Sequence, residues 1–311
     1  MKKSTLFCIA IALSPLLIST AHAQLFRSYL ASDGSDSNPC TVQAPCRLLP
    51  AALAAVKDGG EVWIMDSANF NTSPVVIEKS VSILAIPGAL GSIVGSSGDA
   101  IEINAAAVKV TLRNLKILNF NAGQNGIHMT NGASLKVEGC EIAGFNSYAG
   151  ISVTTPAKVT IVDTIVRDNY NGIRFDNGST GDVARTTVVG NTYVGVWAYP
   201  TFDSTVTVTV TDSVSSNNRW GFFATGSAGR IARMTISRST AAHNTSGSIG
   251  DGFGVSGSAG TGVMTVSGSV ASGNYYGFRQ DTGATFRSLG DNTVFDNTID
   301  TGGTITVVAP K

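Results

Sequence analysis

The chain is short of charge, of histidine and of long apolar stretches, and each shortage narrows what it can do. Charged residues make up 14% of its 311, and Lys plus Arg equal Asp plus Glu at 21 each. Nucleic acid as a main partner usually demands a basic face, so none is expected. The 3 histidines include His22 in the leader described below. Neither His128 nor His243 lies near a cysteine pair, which leaves no zinc motif and no nucleophile triad. After Ile18 no apolar run is long enough to span a bilayer. Helix-forming stretches are scarce with one exception, while Gly reaches 35 and Ser and Thr abound. This is the profile of a β-rich chain with many turns.

What is present begins with a leader. Lys2 and Lys3 precede an apolar run from Leu6 to Ile18, and Ala21-His22-Ala23 fits the small-x-small cleavage pattern. Residues 1–23 are expected to be a signal peptide, with a secreted or periplasmic product. Losing Lys2 and Lys3 leaves 19 basic residues against 21 acidic ones, a net charge near −2. Cys8 leaves with the leader. Export permits oxidation, and Cys40 and Cys46, six apart in a Pro-bounded loop, are expected to pair.

Residues 24–46 read as mostly irregular. Asp33, Asp36 and Asn38 offer too few oxygens to specify a calcium site and suit Asx-type turns better. Leu49, Leu53 and Val56, among four alanines, predict a helix over 47–57. Pro50 fits only its first turn, and Gly59-Gly60 should end it. A strand follows at 61–65. Such a helix would cover the open end of the first coil of a solenoid.

The run Asp33-Gly34-x-Asp36-x-Asn38-Pro39, then Ala44-Pro45-x-Arg47, the Ala-rich helix, Gly60 and a Val-x-Ile strand resembles the N-terminal segment of secreted right-handed parallel β-helix proteins of the pectate-lyase-like superfamily. The resemblance implies that fold, with 24–60 as lead-in and capping helix and 61–311 as β-helix. It does not imply one activity, because the superfamily holds lyases, hydrolases, epimerases and structural members. Its catalytic signatures are missing. There is no Arg-x-Pro-x-x-Arg, and neither His128 nor His243 sits in a family motif, so no catalytic residue carries over.

The repeat supports the same fold independently. Gly126, Gly150, Gly172, Gly195, Gly221, Gly252 and Gly277 open units spaced 24, 22, 23, 26, 31 and 25 residues apart. That suits one turn of a three-stranded coil, and no leucine lattice argues for the alternative solenoid. Strand alternation puts Ile173 and Phe175 inside and Arg174 outside. A recurring Asn at 169, 191, 218, 244, 274 and 297 suits a corner, where it tolerates left-handed backbone and bonds the next coil. Phe145 and Phe120 take its place earlier. Five residues before it recur Thr164, Thr186, Ser213, Ser239 and Ser269. Cys140 shares that column and reads as an inward small residue.

Outward columns are where function can lie. Two positions after each Gly stand His128, Ser152, Arg174, Trp197, Phe223, Gly254 and Arg279; Asp176, Tyr199 and Asp281 follow two further on. Aromatic faces stack on sugar rings while Arg and Asp bond hydroxyls or carboxylates. His128, Trp197, Tyr199 and Phe223 are therefore candidate substrate-binding residues. The competing reading has the loop after Tyr199 fold back over Trp197. If the chain is an enzyme, a polysaccharide lyase comes ahead of a glycoside hydrolase. Arg174 is then the candidate base, Asp176 a candidate cation ligand and calcium a possible cofactor; no metal site is assigned. The alternative is a non-catalytic envelope β-helix for adhesion or scaffolding.

Overall fold

The computed structural model describes residues 24–259 and 261–309; the expected leader, 1–23, lies outside them. The chain winds through three sheets of 12, 10 and 10 strands. Asn171–Phe175 lies in the second sheet, Thr180–Ala184 in the first and Thr187–Val189 in the third. Val194–Ala198 then returns beside Asn171–Phe175. These strands pair in parallel with their counterparts one coil before and one coil after. This is the expected right-handed parallel β-helix.

Alternation fills its interior. In the second sheet Ile127, Ile151, Ile173, Val196, Phe222, Phe253 and Phe278 form one inward column, none more than 2% exposed. Phe222 and Phe253 stack with centroids 5.3 Å apart. Burying each such side chain is worth about 1.5–3 kcal/mol. A one-residue slip would turn the whole column to solvent, so burial fixes the register.

The Asn ladder seals one corner. Asn191 Oδ1 accepts from the backbone N–H and side-chain amide of Asn169 at 3.0 and 2.9 Å, and the pattern repeats through Asn218, Asn244, Asn274 and Asn297. The left-handed backbone expected at the Asn falls one residue earlier, on Asp168, Gly190, Asn217, His243, Gly273 and Asp296. That residue makes the bend, which frees the Asn amide to lie along the stack. Cys140 is buried in its column, and burial pushes its thiol up to about 11. Phe145 is buried, but Phe120 is 82% exposed and does not continue the ladder. There the strand Leu115–Gly123 bulges, and Asn119 Oδ1 takes the N–H of Gly123 at 2.9 Å.

The N-terminal end is closed by helix α1, Leu49–Ala55, whose Leu49, Ala52 and Leu53 are buried. It is shorter than expected and stops at the extended Val56. Gly59 and Gly60 do not end it but lie inside the strand Val56–Ile64. Leu25–Leu30, expected to be irregular, pairs with that strand and its register slips between Leu25 and Arg27. Gly60 sits at the slip, where a Cβ would collide with the Phe26 carbonyl. Asp36 Oδ1 accepts from the N–H groups of Arg47 and Leu48 at 2.9 and 2.8 Å. Cys40 and Cys46 are joined by a disulfide.

Candidate functional site

The second sheet carries the outward column as aligned. His128, Ser152, Arg174, Trp197, Phe223, Gly254 and Arg279 are neighbours in successive strands. Its character changes along the axis, from polar to aromatic and back to charged.

The polar stretch centres on His128. Its Nδ1 lies 2.7 Å from Asp99 Oδ2, and its Nε2 lies 3.3 Å from Thr154 Oγ1. Asp99 Oδ1 also accepts from the backbone N–H and side-chain amide of Asn125 at 3.1 and 2.7 Å. Burial works to raise the Asp99 carboxyl, but the hydrogen bonds from His128 and Asn125 outweigh it and hold it low. An imidazole tied to a carboxylate through Nδ1 presents Nε2 for proton exchange. Sequence reasoning missed Asp99 because it precedes the regular repeat. Next in the column, Ser152 Oγ is buried without a hydrogen-bond partner.

Arg174 and Asp176 are locked together. Arg174 Nη2 donates to Asp176 Oδ2 at 2.6 Å, and the residues are only 7% and 1% exposed. The loop after Tyr199 returns onto Asp176. Asp176 Oδ1 accepts from the Thr201 N–H at 2.7 Å, and Thr201 Oγ1 lies 3.0 Å from both carboxylate oxygens. Tyr148, Trp197 and Tyr199 flank the guanidinium, with ring centroids 5.2, 5.8 and 5.1 Å away. Arg174 points out of the coil, as alternation requires, yet it does not face solvent freely. A base needs a free nitrogen and a cation ligand needs free oxygens. Here Arg174 and Thr201 occupy both Asp176 oxygens, while Arg174 Nε is buried without a hydrogen-bond partner.

Beyond it runs an aromatic strip. Trp197 is half-buried, stacks on Tyr199 at 4.2 Å and donates Nε1 to Thr225 Oγ1 at 3.0 Å. Phe223 stacks on Trp220 at 5.3 Å. A second column, missed in the sequence, borders these rings. Tyr148, Tyr170 and Tyr193 occupy one corner position in successive coils, linked by the bonds from Asn171 N to Tyr148 O and Tyr193 N to Tyr170 O. Tyr170 and Tyr193 stack at 5.4 Å, and Trp220 meets Tyr193 edge-on at 4.7 Å. The signal was present in that Tyr148, Tyr170 and Tyr193 each stand two residues before the Gly of their unit. Burial pushes the Tyr193 phenol up, although the Arg219 charge opposes it.

At the far end, Arg279 bonds Asp281 Oδ1 through Nε at 3.0 Å, and its Nη1 lies 3.5 Å from Asp251 Oδ1. Asp251 is fully buried, and its Oδ2 has no partner. Burial pushes its carboxyl up to about 6, although Arg279 opposes this. On another corner Asp163 and Asp212 are separated by Arg185. Each is bound by an arginine, Arg185 and Arg238 respectively, at 2.7 Å. Among the described residues, no three His, Cys, Asp or Glu side chains converge as a metal site.

Residues 99–256 match the family described as right-handed β-helix region, which spans half of the chain, and the chain belongs to that family. The solved structure of the pectate lyase Pel9A is similar, with a TM-score of 0.67 at 14% identity, over 91% of this chain and 80% of that one. The GH136 lacto-N-biosidase from Eubacterium ramulus aligns with a TM-score of 0.46 at 12% identity, over 91% of this chain and 68% of that one. At such identities the likeness to Pel9A establishes the fold, the pectate-lyase-like β-helix. No curated protein matches the chain.

Proposed function

We propose that the chain binds polysaccharide along the outer face of the second sheet. One observation carries this: partly exposed rings of Tyr170, Tyr193, Trp197, Trp220 and Phe223 form one connected strip across neighbouring coils. Coils repeat about every 4.8 Å, so the strip lies along the axis as a linear chain of sugars would. Rings stacked on pyranose faces supply contact area at low entropic cost. The shared fold with a pectate lyase is in keeping with this reading.

The test is affinity electrophoresis against a panel of polysaccharides. Trp197→Ala with Trp220→Ala is expected to weaken retardation at least tenfold, with the far-ultraviolet spectrum unchanged. A folded double variant that binds as the parent does would sink the proposal.

The Asp99–His128 pair favours a second reading, in which the strip is the platform of an enzyme. His128 lies two coils from Arg174, roughly 10 Å along the axis. Its oriented Nε2 is then the group to exchange a proton with bound sugar. Release of unsaturated product, followed by absorbance with and without calcium, tests lysis. Loss of turnover in His128→Gln with binding retained would support this reading. Binding without turnover on every polysaccharide would favour the adhesive or scaffolding role.

A further inference from the structure

Arg219 interrupts the tyrosine column. The N–H groups of Arg219 and Trp220 both bond the Tyr193 carbonyl, which places Arg219 at the corner position held by Tyr148, Tyr170 and Tyr193 in earlier coils. Its guanidinium lies over Trp220, 4.4 Å from the ring centroid, and 5.3 Å from that of Tyr193. Rings on these two sides hold the planar group in one orientation.

The other arginines of this face have their own acids. Arg174 is bound to Asp176, and Arg279 is shared by Asp251 and Asp281. Among the described residues, Arg219 makes no ion pair and no side-chain hydrogen bond, and its buried Nε is without a partner. The side chain is partly exposed. Stapling of rings alone would explain the stacking. It does not explain a charge left without an acid while both neighbours on the face have one. A guanidinium packed against two rings, with no acid on either Nη, matches a planar anion in a bidentate pair.

We infer that Arg219 selects the glycan, by binding an anionic substituent, a sugar carboxylate or an ester sulfate, on the residue that stacks beside Trp220. The inference rests on the polysaccharide-binding reading above and adds to it a residue that reads charge. Arg174 cannot serve in that way, because Asp176 already neutralises it.

The experiment measures binding by calorimetry to three oligosaccharides of equal length: an oligogalacturonate, its full methyl ester and a sulfated galactan. The wild type is expected to prefer one of the charged ligands over the neutral ester by roughly tenfold or more. Arg219→Gln should bring that ratio close to one, and Arg219→Lys should restore part of it, because the charge returns without the fork. Whether the oligogalacturonate or the sulfated galactan wins identifies the anion. Equal binding of charged and neutral ligands by the wild type, or a preference that survives Arg219→Gln, overturns the inference and leaves the aromatic strip intact. Failure to bind any of the three, with none of the polysaccharide panel retained either, overturns both readings.

Discussion

Two Arg-x-Asp pairs stand on the same face, four coils apart, and the fold treats them differently. Arg174–Asp176 and Arg279–Asp281 occupy the same two outward columns. The first pair is closed, with side chains 9% and 2% exposed. The second is open, at 30% and 38%. The neighbours decide. Arg174 lies between Ser152 and Trp197, while Arg279 lies between Gly254 and Gly302. Tyr148, Trp197 and Tyr199 surround the first guanidinium, while the second has the Tyr276 ring at 5.1 Å and a glycine on each side. Thr201 then closes over Asp176, whereas Asp251 enters beneath Arg279 with one oxygen unpaired. The same tripeptide pattern is thus a structural clamp in one place and an accessible, unbalanced charge cluster in the other.

Breaking the closed pair should cost most. Asp176→Ala leaves Arg174 buried among rings without its counter-charge and releases Thr201. Removing one partner of a buried pair costs about 3–5 kcal/mol. Urea unfolding is expected to show a loss of that size. A loss below about 1 kcal/mol would mean that the pair is solvated in solution and that the contrast between the two pairs is false.

The open cluster should instead reveal itself through pH. Asp251 has a folded pKa of about 6, above the value near 4 of an unfolded Asp. Raised in the folded state, the group favours folding while protonated. That contribution is full below about pH 4 and is lost as pH rises through 6. The span corresponds to roughly 3 kcal/mol at most. Asp251→Asn cannot ionise beside Arg279 and Asp281, so its stability relative to wild type should rise between pH 4 and pH 7. Other carboxylates titrate in this range, which makes the difference between the two proteins the quantity to follow. A difference that stays flat with pH would show that Asp251 is not desolvated.

The contrast also explains what was legible in the sequence. Period and alternation are local, so they gave Ile173 and Phe175 inside, Arg174 outside, the Asn ladder and the register of the outward columns. Exposure is not local. Whether an outward arginine meets water depends on residues 20 to 30 positions away, such as Trp197 beside Arg174 or Gly302 beside Arg279. The loop carrying Thr201 has no period, so its return onto Asp176 could not be deduced. Asp99 precedes the regular units, and Arg219 breaks the column it belongs to, so neither carries the signature that revealed the rest.

Thr201 tests the roof without touching the pair. Thr201→Ala removes the hydroxyl that lies 3.0 Å from both Asp176 oxygens but keeps the backbone N–H bond. Net loss of such a hydrogen bond to a charged group is worth about 1.5–3 kcal/mol. The lower part of that range is expected, because the backbone donor remains. Faster amide exchange at Thr201, with exchange in the core strands unchanged, would show the loop loosening alone. Uniform acceleration across all coils would mean that the loop is part of the global cooperative unit.

The smallest effect should come from Asp281→Ala. Its carboxylate bonds Arg279 at 3.0 Å, a geometry no worse than many stabilising pairs. Both side chains are about a third exposed, so water already solvates each charge and salt screens their attraction. Exposed pairs contribute about 0–1 kcal/mol. Removing Asp281 also relieves its repulsion of buried Asp251, which offsets part of even that gain. The expected change is within about 0.5 kcal/mol, with the wild-type pair weakening further in 1 M salt. A loss approaching that of Asp176→Ala would show that neighbouring rings and glycines do not separate the two pairs, and that the Arg-x-Asp pattern is itself the source of stability.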